Sequence, residues 1–382
     1  MARGFKGILR KTFMKILFIE PYPTEGPSSR YRVEQYIPYL KNNGIKCTVR
    51  PFISSKFYKI IYQKGYHFKK IFFFLQSSIR RFFDLFTAMH CDIIFIHLEA
   101  FPFGPSVFEW ILKKSGKKII YDLDDAIYLG ITSPINRFLK LLKYPSKVMK
   151  ILTISNHIIT CNEFLADFAR KYNKNVTAIH TSVDTDRFVP KIRDANDANQ
   201  DITIGWIGSH TTAPYLEELK NVFHQLSLKY KFNLKIIGAG KHNLKIPGIN
   251  VINMDWQLEN EIEEFQSLDI GVYPLPENKW TLGKTGFKTI QYMSVGIPCV
   301  VSNVGSNKNI VEDGVNGYLA NTKEEWIEKL SKLIEDPELR KRMGLAGRKT
   351  VIEKYSVKVN APKLLEILQN AYNEKYLKRK NK

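Results

Sequence analysis

Residues 280–302, WTLGKTGFKTIQYMSVGIPCVVS, read as a glycine-rich turn, a helix over 287–295 and, past the break at Gly296-Ile297-Pro298, an apolar strand. A helix delivered into a buried strand across so short a break is one unit of a parallel sheet wrapped by helices. The same alternation extends on both sides. Further β-type runs fall at 202–207, 233–237, 250–253 and 270–273, with helical patterns at 215–230, 259–267 and 323–334. A second series begins near Lys15, with strands at 16–20, 46–52, 92–98, 118–122, 157–161 and 176–180.

Between the two series lies KIRDANDANQD, residues 191–201, which offers little to bury and reads as a linker. The expected architecture is α/β: two Rossmann-like doubly wound domains facing across a cleft. Residues 1–190 form the first, with a basic aromatic insertion at 53–86. Residues 202–355 form the second, and 356–382 form a C-terminal helix with a basic tail. Folds of this kind bind ligands outside the carboxyl ends of their strands, so the cleft is the expected active site.

The composition agrees with this plan. At 382 residues the chain fits two domains of about 150 residues. Its 44% apolar and 13% aromatic content excludes a disordered chain. Cys47, Cys91, Cys161 and Cys299 are far apart and form no Cys-x-x-Cys pair, as expected of reduced core residues in a cytosolic protein. No apolar run reaches the roughly 18 residues of a membrane-spanning helix, and residues 1–15 lack a signal peptide's apolar segment. Fifty-eight Lys and Arg against thirty-seven Asp and Glu leave +21, a charge that attracts polyanions.

Part of that charge is concentrated between Ile53 and Phe86. Seven basic residues (Lys56, Lys59, Lys64, Lys69, Lys70, Arg80, Arg81) and eleven Phe or Tyr stand there beside a single acid, Asp84. Rings settle at the headgroup boundary while each Lys or Arg gains about 1 kcal/mol near anionic lipid, so the segment suits docking on a membrane surface. Two other readings remain open: Phe residues packed on the first sheet with a wet lysine face, or single-stranded nucleic acid stacked on the rings.

Two turns have the chemistry of phosphate binding. Gly205-Trp206-Ile207-Gly208-Ser209 ends a strand, and His210-Thr211-Thr212-Ala213-Pro214 opens a helix, whose free amides and hydroxyls attract an anion. In residues 280–302, Lys284, Lys288 and Gln291 are spaced four and three apart, near one helix face; two ammonium groups at a helix N-terminus match a diphosphate. A solvated helix face is the plainer reading of those lysines. Gly238-Ala239-Gly240 lacks the third glycine of a dinucleotide fingerprint and reads as a turn.

From about Lys15 to Tyr372 the chain resembles the family 4 retaining glycosyltransferases (glycosyl transferases group 1). The resemblance rests on Pro27-Ser28-Ser29-Arg30, Val183-Asp184-Thr185-Asp186-Arg187-Phe188, the Gly205–Ser209 turn, residues 280–302, and Gly305 through Glu312-Asp313-Gly314-Val315-Asn316-Gly317. It implies the GT-B fold, a nucleotide-diphosphate sugar as donor substrate rather than a cofactor, and a last helix that crosses back to the first domain. Where the family carries Glu-x7-Glu this chain has Gly283 and Gln291, and the Arg and Lys that many members place after the first turn of the second domain are replaced by Ser209, His210 and Thr211.

The donor-binding set is therefore Gly208, Ser209, His210, Thr211, Gly283, Lys284, Thr285, Gly286, Phe287, Lys288 and Gln291, with Lys284, Arg30 and Asp124 as catalytic candidates. Ser28, Ser29, Arg30, Asp122, Asp125 and Glu99 are placed on the acceptor side; the three clustered aspartates need hydroxyls, a cation or basic partners to relieve their repulsion. Arg32, His97 and His180 lie nearby with no assigned role. No metal and no nucleic acid partner is expected. The resulting expectation is retaining hexosyl transfer from a nucleotide sugar to a glycan or lipid-linked acceptor in polysaccharide synthesis, by a protein peripheral to the cytoplasmic face of an anionic membrane. The competing readings are a nucleotide-sugar epimerase and a non-catalytic polyanion- or membrane-binding protein of the same fold.

Overall fold

The computed structural model describes residues 13–130, 144–191, 201–241 and 244–380, with side chains described as far as residue 374. Residues 192–200 of the expected linker and the side chains of the basic tail lie outside the described residues.

Twelve strands among the described residues form two six-stranded, all-parallel sheets. The first contains β1 (Lys15–Glu20), β2 (Lys46–Pro51), β3 (Ile93–His97), β4 (Lys118–Leu123), β5 (His157–Thr160) and β6 (Val176–Ala178), in the order β2-β1-β3-β4-β5-β6. The second contains β7 (Ile202–Ile207), β8 (Phe232–Ile237), β9 (Asn250–Met254), β10 (Ile270–Tyr273), β11 (Cys299–Ser302) and β12 (Tyr318–Ala320), in the order β12-β11-β10-β7-β8-β9. Chain order reverses between β1 and β3 in one sheet and between β7 and β10 in the other. Each reversal opens a crevice at the strands' carboxyl ends. This is the α/β, two-sheet architecture that the alternation of elements implied.

Central strands are apolar on both faces because helices cover both. Leu17 and Ile19 of β1 pack with Ile94, Ile96, Ile119 and Tyr121 on one side. On the other, Ile16 and Phe18 pack with Ile93, Phe95 and Ile120 beneath Ala361, Leu364 and Leu368 of the last helix, Val357–Lys380. A chain segment from beyond the second sheet thus completes the core of the first.

Several elements differ from expectation. The three-residue strand β12 and the helix Pro337–Thr350 were not foreseen, the first being too short to carry a period and the second bearing charges around much of its circumference. The helix expected at 215–230 is a 3-10 segment, Ala213–Leu219, that becomes α-helical only over Lys220–Ser227.

The basic aromatic segment forms two helices, Ser55–Ile61 and His67–Met89. Its rings divide between two faces. Phe57, Phe73 and Phe74 pack inward with Phe52 and Phe101. Phe68, which is 90% exposed, joins Ile71, Phe72, Leu75, Ile79, Phe82, Phe83 and Phe86 in an outward stripe. The lone acid, Asp84, is buried and paired with Arg81 at 3.0 Å and Arg50 at 3.3 Å. No described helix is long and apolar enough to cross a membrane.

Candidate active site

Gly283 follows the short helix Lys279–Leu282 and lies where the two halves of the chain touch. A Cβ at Gly283 would come within 2.9 Å of the Ala126 Cβ, so only glycine fits this approach. Asn162, at the N-cap of the helix Glu163–Arg170, donates to the carbonyls of Gly283 (3.2 Å) and Lys284 (3.1 Å) and to Ser306 Oγ (3.2 Å). The turn is thereby fastened to the first sheet. Trp280 packs against the core of that sheet.

Lys284 projects into the same gap. Its Nζ lies 3.0 Å from Asp125 Oδ2 and 4.5 Å from the centre of the Trp280 ring, with the lysine and the aspartate each about a quarter exposed. Thr285 is half-buried. The helix starts only at Phe287, after Gly286 in the left-handed region (φ 66°), where a Cβ would also meet Ile310 Cδ1 at 2.5 Å. Lys284 therefore does not share a helix face with Lys288 and Gln291, contrary to the spacing argument. The left-handed turn intervenes and sends the lysines in different directions.

Lys288 and Gln291 belong to a buried network spanning both halves. Lys288 Nζ donates to Gln291 Oε1 at 3.0 Å. Gln291 Nε2 reaches the Tyr31 hydroxyl at 3.3 Å and Glu261 Oε1 at 3.4 Å. Tyr31 donates to Glu261 Oε2 at 2.7 Å, and Arg30 Nη2 lies 3.1 and 3.2 Å from the two Glu261 oxygens. Phe287 packs on Tyr31 with ring centres 4.4 Å apart. Burial pulls the Lys288 ammonium down to about 8 in spite of the neighbouring Glu261. Arg30 pairs with Glu261 directly, while Lys288, tied to Gln291, feels the charges of both Glu261 and Glu264.

The turn after β7 is open. Ser209, His210 and Thr211 are exposed; Ser209 Oγ and Thr211 Oγ1 are 2.7 Å apart, and the His210 ring lies 5.3 Å from that of Tyr62. A Cβ on Gly208 would overlap the Trp206 ring, and Gly208 O lies close enough to Gly238 to exclude a side chain there.

On the first sheet the structure redistributes the acceptor-side candidates. Asp122 is a correction: it is fully buried, held by Arg32 through both oxygens and by His97 Nδ1 at 2.7 Å, so it cannot meet an acceptor. Burial opposes its ionisation, but Arg32 and His97 outweigh burial and hold it below the usual carboxylate range. Asp124 is nearly buried, and burial raises its pKa. Burial also works against the charged form of His97, yet Asp124 and Asp122 together leave the imidazole above its ordinary value. Glu99 pairs with Lys147 at 2.8 Å, Ser28 is half-buried, and Ser29 is buried beneath the loop. Arg30, expected to meet acceptor or phosphate in the cleft, is instead a buried partner of Glu261. Arg32 serves Asp122, and His180 Nδ1 contacts Cys161 O at 3.0 Å.

Sequence reasoning missed Glu261, Tyr31, Asn162 and Glu20. Glu261 opens the helix Glu261–Gln266, where an acid reads as ordinary dipole compensation. Glu20 is a lone charge at the end of an apolar strand, a signal that was present.

Residues 189–350 match the family model for glycosyl transferases group 1. Over 85 residues the chain is 34% identical to the alpha-1,3/1,6-mannosyltransferase ALG2 of Dictyostelium discoideum, covering 22% of this chain and 20% of that protein. The aligned stretches span about a fifth of the curated relatives matched. Among solved structures, a glycosyltransferase from Rickettsia africae ESF-5 superposes with a TM-score of 0.65 at 16% identity, covering 94% of this chain and 99% of that one. Anabaena Alr3699/HepE in complex with UDP-glucose gives 0.64 at 14% identity, covering 94% and 100%.

Proposed function

We propose, from the match of residues 189–350 to the family model for glycosyl transferases group 1, that the chain is a glycosyltransferase that takes a sugar from a nucleotide diphosphate. The observation that carries the reading is Lys284, held at the contact of the two halves between Asp125 and Trp280, beside a turn in which glycine alone fits. Anabaena HepE, of the same fold, was solved with UDP-glucose, which supports a nucleotide sugar as donor here.

In the proposed reaction the bond from the anomeric carbon to the diphosphate oxygen breaks while the acceptor oxygen bonds that carbon on the same face. The acceptor proton passes to the leaving phosphate, and the anomeric configuration is retained. Lys284, with Arg30 and Lys288 once Glu261 gives way, stabilises the charge that develops on the diphosphate. Asp125 keeps Lys284 extended into the gap until the donor arrives.

We propose further that the transferred group is a hexosyl unit and that the acceptor is a glycan or lipid-linked sugar at an anionic membrane, as in polysaccharide synthesis. The support is the outward stripe of the His67–Met89 helix. Its large apolar side chains recur every three or four residues, and the exposed charges around it, Lys56, Lys59, Lys64 and Lys69, are all positive. Such a face partitions into a headgroup boundary. Tyr62, close to this surface, touches His210 at the cleft, so the docked protein would hold its cleft near the lipid. The protein would then work peripherally on the cytoplasmic face.

Screening nucleotide sugars by thermal shift, followed by a transfer assay with the best binder, tests the reading. Donor-dependent stabilisation and acceptor-dependent nucleotide release are expected. Conversion of the donor without an acceptor would point to an epimerase instead.

A further inference from the structure

Asn162 belongs to the first half of the chain, at the N-cap of the helix Glu163–Arg170, but its side chain faces both halves. Its Oδ1 accepts from Leu165 N at 2.9 Å, which is what a cap does. Its Nδ2 is turned to the second half, towards Gly283 O, Lys284 O and Ser306 Oγ. Capping needs only the oxygen, and Asn, Asp and Ser serve about equally well in that place. The amide nitrogen is therefore surplus to the cap, and the carbonyls it meets are those of the turn that carries Lys284.

That turn has little stiffness of its own, since glycine stands at 283 and again at 286, where φ is 66°. Its backbone is held from outside. Lys284 O accepts from Asn162 at 3.1 Å and from Ser306 Oγ at 2.6 Å, Gly283 O accepts from Asn162 at 3.2 Å, and Lys284 N donates to Thr281 O at 3.0 Å. Both peptide planes that flank the Lys284 Cα are thus pinned, which sets the direction in which its side chain leaves the backbone. Asn162 is 3% exposed and Ser306 7%, so water is a poor substitute for either. The preceding residue, Cys161, donates through Sγ to Asp124 O at 3.3 Å, so the same corner also steadies the loop bearing Asp125, the partner of Lys284.

Resting on the donor reading, we propose that Asn162 is a positioning residue, whose amide group fixes the 283–286 turn so that Lys284 meets the diphosphate. The helix Glu163–Arg170 follows β5 after two residues, so Asn162 moves with the first sheet. The lysine belongs to the second. Its backbone therefore takes this shape only while the two halves touch, and the contact between them is transmitted to the group that grips the donor. Misplacement of such a group by about 1 Å is enough to cost up to 100-fold.

The test is a double-substitution cycle on the full chain, read as the Kd of UDP, or of GDP should GDP bind the wild type more tightly. Asn162→Ser keeps a capping oxygen, but its shorter side chain ends before the turn, and it should weaken the diphosphate about tenfold. Lys284→Ala should weaken it at least as much. The two together should bind within about twofold of Lys284→Ala alone, because Asn162 acts through that lysine. A merely structural Asn162 would give losses that multiply, and that outcome would overturn the role. Unchanged binding in Asn162→Ser would overturn it as well. Asn162→Thr, which also keeps a capping hydroxyl, is read in the same way should Asn162→Ser not fold. A wild-type chain that binds neither diphosphate would instead remove the donor reading, and this role with it.

Discussion

Arg30, from the first half of the chain, holds both carboxylate oxygens of Glu261 in the second, at 3.1 and 3.2 Å, with the two side chains only 9% and 6% exposed. Taking such a pair out of water costs more than its attraction returns unless the geometry is good and the remaining valences are met. Both conditions hold: Tyr31 and Gln291 bond the same carboxylate, and Arg30 also donates to Thr24 O. The link fastens the loop after β1 to the second sheet.

Removal of one partner strands the other. Arg30→Ala should lower stability by about 3–5 kcal/mol in urea denaturation, whereas Arg30→Met combined with Glu261→Met should cost much less. A neutral Arg30→Ala would mean that the two halves do not meet here in solution.

Lys284→Ala should reduce turnover by about 100-fold or more, the scale for losing a donor aimed at developing charge. Its partly exposed pair with Asp125 contributes little to stability, so the melting temperature should barely move. Near-normal turnover would strip Lys284 of its role.

Gly283→Glu puts a carboxylate at the position that the family resemblance assigns to the first Glu of Glu-x7-Glu. Ala126 blocks it at the first side-chain atom, so the substitution should slow transfer and weaken donor affinity. Enhanced transfer would show that the close approach is not maintained during turnover.

Phe72→Ser, Phe82→Ser and Phe86→Ser together should reduce flotation with anionic liposomes by at least ~100-fold, at roughly 1.5–3 kcal/mol per ring, and leave melting unaffected because these rings are exposed. Exchange of Lys56, Lys64 and Lys69 for Gln should weaken binding to anionic vesicles by about 1 kcal/mol per residue and leave neutral vesicles unchanged. Equal recovery of the wild type with both kinds of vesicle would remove the electrostatic part of the docking.

Glu20 provides a pH signature. Its folded pKa, about 8, lies above the ordinary carboxylate value of about 4.5, so between these values the folded state holds more protons than the unfolded state. The stability this carboxyl contributes is fully present below about 4.5 and is lost as pH rises towards 8. Denaturation at pH 5, 6.5 and 8 should show a loss in the wild type that is smaller in Glu20→Gln. Parallel curves would mean that Glu20 is solvated.

The sheets were legible because parallel strands buried on both faces are continuous apolar runs, and the glycines at 205, 208, 283 and 286 punctuate them. Strand β12 and the helix Pro337–Thr350 were not, since three residues carry no period and a helix charged around much of its surface shows a weak stripe. Lys284, Lys288 and Gln291 could be found by spacing, but the left-handed Gly286 between them changes their directions, and spacing does not report φ.

The sequence by itself determined the two-sheet plan, the glycine-rich turn before Phe287 and the basic aromatic helix, because period, glycine placement and charge density are local properties of the chain. Only the tertiary structure decided that Arg30 would be spent on Glu261, that Asp122 would be sealed behind Arg32 and His97, and that Glu20 would be fully buried at the end of β1. Those outcomes join residues 90 to 231 positions apart or strands brought side by side by sheet order, and such proximity follows from packing rather than from any pattern along the chain.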